Sequence, residues 1–169
     1  MKRQNEKPDL ALADFRRAEA INPRSISALR AQAHVLTETG RHGESLTVLG
    51  RLLAMYPDLV EGYAERAVVL ARLSRNQEAV ADAEWVKAHS SSPLMLYQVA
   101  GAYSLTGDIR EALRLLATAL TRGVGFEYLP VDRELDPIRN RPEFVRLVDA
   151  ARTLQAFLNL SEKPSADRP

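Results

Sequence analysis

A period of about 34 residues runs through most of this 169-residue chain, and it constrains the fold more than any other feature. Four small residues, Ala11, Ser45, Ala79 and Ala112, each sit inside a helix-like pattern, at spacings of 34, 34 and 33 positions. The text around them recurs as well: LALADFRRAEAINP at 10–23, SLTVLGRLLAMYP at 45–57, AVADAEWVKAHSS at 79–91 and ALRLLATALTRG at 112–123. Ahead of the last three lies a second set of helix-like stretches, at 26–39, 60–73 and 93–106. Turn signals split each pair, at Thr39-Gly40-Arg41, Ser74-Arg75-Asn76 and Thr106-Gly107-Asp108. Pro23, Pro57 and the run Ser90-Ser91-Ser92-Pro93 separate one pair from the next. A helical hairpin of this length cannot bury its outer apolar faces alone, so stacked neighbours must supply the core.

Position by position, the pattern resembles the tetratricopeptide repeat family. In the last repeat Leu96, Val99, Ala100 and Tyr103 fill the first-helix places, with Ala112 and Leu116 in the second helix. The third repeat supplies Tyr63, Ala67, Leu70, Ala79 and Ala83, and the second Leu29, Ala33, Leu36, Ser45, Leu49 and Pro57. A first half repeat shows Ala11, Phe15 and Pro23, so the resemblance covers roughly residues 8–123. It implies an all-α chain: a right-handed superhelix of helix–turn–helix repeats, with a concave face and a helical cap at its C-terminal end. Small residues at Ala33, Ala67 and Ala100 are expected opposite Ser45, Ala79 and Ala112, where the two helices of a hairpin approach closely. Gln32 and Arg66 stand where the family carries Leu, so looser packing is expected there.

The expected segmentation is a repeat array over 1–125 (half repeat 9–23, full repeats 26–57, 60–91 and 93–123), a helical cap over 126–159 and a disordered tail over 160–169. The first helix is expected to begin near Asp9, with too few residues ahead of it for a partner helix. Two explanations are open, a fragment of a longer protein or a shortened start, and the fragment is the expected one. It would also leave Leu12 and Phe15 only partly covered, a patch that favours self-association. The segment at 129–148 resembles the tail that follows tetratricopeptide repeats in many bacterial multidomain proteins, kinases and cyclases among them. Asp132, Leu135, Asp136, Pro137, Ile138, Arg139, Pro142, Phe144 and Leu147 carry that likeness. It implies an alternative role as the regulatory segment of a larger enzyme. Phe144 and Leu147 are expected to face inward from a last helix at about 142–159.

Composition removes several function classes. Lys and Arg (23) nearly balance Asp and Glu (22), with both signs spread along the chain, which disfavours nucleic-acid binding. Without cysteine there is no disulfide, thiolate metal site or cysteine nucleophile, and a reducing, cytoplasmic setting is expected. No apolar run approaches the length of a membrane span. His34, His42 and His89 lack the spacing of a metal site. The carboxylates Asp132, Glu134 and Asp136 lack the Gly and distal Glu of a calcium loop, and read as capping and solvated groups. Gly123-Val124-Gly125 is too short for a phosphate loop. No catalytic residue, cofactor or metal is expected.

One surface remains as a functional candidate. In the family the concave face is lined by first-helix residues that point away from the second helix. Carried onto this chain, the partner-binding groove comprises Arg30, His34, Ala64, Val68, Tyr97 and Gly101. Ala64 and Gly101 would leave room for a bound chain, Tyr97 would be a rigid aromatic anchor, and Arg30 would hydrogen-bond a ligand carboxylate or carbonyl. Some members grip a C-terminal carboxylate with Lys and Asn on this face. This sequence has neither there, so the expected activity is protein–protein interaction with a peptide or protein segment of another kind.

Overall fold

The computed structural model describes residues 6–161, and among them every regular element is helical. The order is α1 (Glu6–Ile21), α2 (Ile26–Glu38), α3 (His42–Met55), α4 (Val60–Arg72), α5 (Asn76–His89), α6 (Pro93–Thr106) and α7 (Ile109–Thr121). A single 3-10 turn (Arg133–Leu135) then leads into α8 (Asp136–Arg139) and α9 (Pro142–Ser161). The pairs α2–α3, α4–α5 and α6–α7 pack as hairpins, and α1 packs on α2 ahead of them. It starts at Glu6, three residues before the expected Asp9. The tail expected to be disordered is helical at 160 and 161, within α9, and 162–169 lie outside the described residues.

Local chemistry sets the boundaries. Ser25 caps α2 by accepting from the Ala28 amide (3.2 Å), and Asp108 caps α7 by accepting from Glu111 (3.1 Å), each satisfying an amide that the first turn leaves unpaired. The turns inside the hairpins need one left-handed residue each. Gly40 (φ +76°) and Gly107 (φ +91°) supply it in two of them, and Ser74 (φ +59°) in the third.

The hairpins close where small residues meet. Ser45 is fully buried, and its hydroxyl donates to the Ala33 carbonyl at 2.9 Å, so α2 and α3 touch nearly backbone to backbone. In the next hairpin Ala67 and Ala79 both lack accessible surface; Ala67 belongs to the large core cluster, and Ala79 packs with Leu70 and Ala71. The looseness expected at Gln32 and Arg66 is absent. Gln32 is buried and donates to Glu19 on α1 (2.8 Å). Arg66 donates Nε and Nη2 to the two oxygens of Asp82 on α5 (2.7 and 2.8 Å). Each polar side chain has a partner, so each ties two helices together instead of opening a gap. Leu12 is 2% exposed, contrary to the expected partial cover, because it joins the cluster of Leu29, Leu36 and Leu49. Phe15 is half-buried, as expected.

At the other end, Leu129, Leu135, Ile138, Phe144, Val148 and Ala151 extend the core of α6 and α7, and α9 packs on α7. Phe144 faces inward, while Leu147 is only half-buried. No described helix is long and apolar enough to cross a membrane.

Candidate functional site

The first helices of the three hairpins, α2, α4 and α6, line a cleft of about 730 Å³. His34, Ala64, Val68, Tyr97 and Gly101 all line it. Arg30 does not, because its Nε (2.8 Å) and Nη2 (2.6 Å) both donate to Glu65 Oε1 on α4. His34 is exposed, Val68 is half-buried, and Ala64 forms floor with no accessible surface.

At its α6 end the cleft is already occupied by the chain itself. After α7, Gly123 (φ +78°) and Gly125 (φ +106°) turn the backbone in a way that disfavours side chains, and residues 126–135 then cross the inner face of α6. Tight turns hold this strap, with the Leu129 amide donating to the Gly125 carbonyl (3.2 Å) and Asp132 to Tyr128 (2.9 Å). The Arg139 guanidinium clamps it from α8 by donating to the carbonyls of Leu129 and Asp132.

The strap changes the meaning of two expected site residues. A Cβ at Gly125 would overlap the ring of Tyr97, and a Cβ at Gly101 would lie 2.8 Å from that of Glu134. The small size of Gly101 therefore admits the strap, where the sequence suggested room for a partner. Tyr97 is 4% exposed and lies beneath Gly125, so its ring is not presented as an anchor. The aromatic ring at the surface is Tyr128, 43% exposed, with its centroid 5.9 Å from that of Tyr97.

Charge binds the strap to α4. Glu134 pairs with Arg72, and Glu38 on α2 stands 4.0 Å from the same guanidinium. Asp132 caps the 3-10 turn by accepting from the Glu134 amide (3.0 Å). Burial above all, and then the Glu134 carboxylate beside it, pushes the Asp132 carboxyl up to about 7. Burial acts against ionised Glu134 too, but hydrogen bonds from Asp132 and Arg72 outweigh it and hold Glu134 below the usual carboxylate range. Burial raises Glu65, with Arg30 opposing, and burial also raises Tyr97, whose hydroxyl is shut away beside Asp132 without a well-formed hydrogen bond.

No group of three or more metal-ligating side chains occurs among the described residues. The strap was the feature hidden from sequence reasoning. Its one local sign was the Gly123/Gly125 pair, which marks a reversal without saying where the chain goes next.

No family model matches the chain, and no curated protein matches it. Among solved structures, the crystal structure of MamA resembles it with a TM-score of 0.60, covering 94% of this chain and 95% of that one at 15% sequence identity. Likeness at that identity shows a shared fold. Together with the 34-residue period it makes the architecture a tetratricopeptide-like, all-α helical repeat.

Proposed function

We propose that this chain is a non-catalytic protein-interaction module that holds a peptide or protein segment in the part of the groove left open by the strap. The observation that carries this reading is the cleft itself. Its volume lies in the range of ligand sites, its floor is apolar through Ala33, Ala64 and Val68, and polar groups rim it at His34, Glu38 and Arg133. The strap and the start of α6 add an exposed apolar edge, Leu94 (40%), Tyr128 (43%) and Val131 (75%), beside that floor. In this reading His34 and Val68 contact the partner, Ala64 gives it room and Arg30 holds Glu65 in place. Tyr97 and Gly101 support the strap, and Tyr128 takes the part of aromatic anchor.

The test uses a partner recovered by affinity pull-down, with circular dichroism confirming that each variant stays folded. Tyr128→Ala is expected to weaken binding by roughly 1–3 kcal/mol, as truncating a central aromatic contact does. Val68→Glu should weaken it similarly, since it places a charge on the apolar floor. Arg114, an exposed residue on α7 away from the cleft, is the control, and Arg114→Ala should leave affinity unchanged. Loss of binding in Arg114→Ala with retention in the groove variants would put the partner on the outer face and end this reading.

A further inference from the structure

Two acceptor oxygens in the groove have no donor from the chain, and they narrow the chemistry of what the groove can hold. We propose, resting on the groove reading above, that the partner enters with a lysine side chain. Its ammonium donates to Glu65 on α4 and Gln98 on α6, and its aliphatic stem lies along Ala64 and Val68.

Glu65 and Gln98 both line the cleft. Glu65 stands two places before Ala67 and Gln98 two before Ala100, so they hold the same position in successive hairpins. Because α4 packs directly on α6, the two positions follow one another along the groove. Glu65 Oε2 and Gln98 Oε1 are shut off from solvent and make no hydrogen bond. Arg30 does not serve Oε2, because its Nε (2.8 Å) and Nη2 (2.6 Å) both go to Oε1. Arg72 is engaged by Glu134, and Arg133 is exposed on the strap. Tyr97 also lines the cleft with an unpaired polar atom, but it is closed off beneath Gly125. A buried acceptor without a donor is costly, a carboxylate oxygen most of all, so a ligand that brings donors to this place is favoured by what the free chain lacks.

Donor chemistry selects among ligands. A backbone amide carries one donor and a side-chain amide two, and neither brings charge to the carboxylate. A guanidinium binds a carboxylate best as a planar fork on both oxygens, and Arg30 already occupies one oxygen of Glu65. An ammonium is compact, carries three donors and needs only one oxygen from each side chain. Its stem suits the floor, since Ala64 and Val68 offer apolar surface along which methylenes are buried while the charged head reaches polar groups. The protein has little to rearrange. Glu65 and Gln98 are half-buried and turn their oxygens toward the ammonium by side-chain rotation, with the helices and the strap in place.

The test uses the full chain, isotope-labelled, and capped alanine pentapeptides whose central residue is lysine, arginine, norleucine or Nε-acetyl-lysine. Each is titrated to about 20 mM at neutral pH and followed by NMR at the Ala64, Val68 and Gly101 amides and the Gln98 side-chain amide, with Gly40 and Gly107 as remote references. The lysine peptide should shift the groove signals saturably and leave the references still. The arginine peptide should bind about fivefold more weakly, and the norleucine and acetyl-lysine peptides should give no saturable shift. Glu65→Gln removes the charge but keeps an oxygen for Arg30, and should weaken the lysine peptide about tenfold. Gln98→Met keeps the side-chain length without the acceptor and should weaken it about threefold, with circular dichroism showing both variants folded. No saturable shift with the lysine peptide would overturn the proposal. So would unaltered affinity in Glu65→Gln, or equal binding of the norleucine peptide. In each of these cases the groove reading keeps its own test, the recovered partner against Val68→Glu and Tyr128→Ala.

Discussion

Ser74 holds the left-handed conformation that Gly40 and Gly107 hold at the matching turns of the other two hairpins. A side chain there is strained, and nothing else in the turn requires Ser. Ser74→Gly should therefore stabilise the chain by about 0.5–1 kcal/mol, read as a higher urea midpoint at unchanged slope. Arg66 works the other way. Its two hydrogen bonds neutralise an Asp82 carboxylate that is only 9% exposed. Arg66→Met should cost about 1–3 kcal/mol by stranding that carboxylate, and adding Asp82→Leu should recover most of the loss. A double variant no better than the single one would mean that packing, not charge, is what Arg66 supplies. Both effects were out of reach from sequence. A Ser in a turn looks ordinary until its φ is known, and an Arg in place of Leu looks like a defect until its partner 16 positions on is seen.

At the scale of elements, hairpin packing depends on small residues. Ala67 has no accessible surface, so Ala67→Leu should cost about 1–3 kcal/mol by overpacking the contact of α4 with its neighbours. An unchanged denaturation midpoint would show that α4 has slack the structure does not display. The hairpins themselves were legible because a 3.6-residue apolar period, capping residues and turn glycines are all local. The segment from 126 onward has two jobs that sequence merged into one. Its helix α9 covers α7, as a cap should, while its strap covers α6 on the inner face. Truncation after Arg122 should lower the melting temperature and promote aggregation, because Leu115, Leu116, Ala119 and Leu120 share their cluster with Phe144, Val148 and Ala151. An equally stable and soluble truncated chain would show that α9 contributes nothing to cover.

For the whole molecule, α1 leaves Leu10 (65%) and Ile21 (87%) at the surface, and these apolar groups are the proposed route to self-association. Sedimentation should show a concentration-dependent increase in mass that Leu10→Ser with Ile21→Ser reduces. A strict monomer at high concentration would end that proposal. What the sequence determined by itself were the all-α class and the helical repeat. These follow from periodicity and turn chemistry, which act over three or four neighbouring residues and are written directly in the text. Only the tertiary structure decided what fills the groove. Whether Tyr97 is an anchor or a buried support depends on a segment about thirty positions away, brought back by two left-handed glycines and fixed by Arg72 and Arg139. Contacts of that range leave no periodic trace, because their energy comes from charge, burial and fit between parts of the chain that are neighbours only once it has folded.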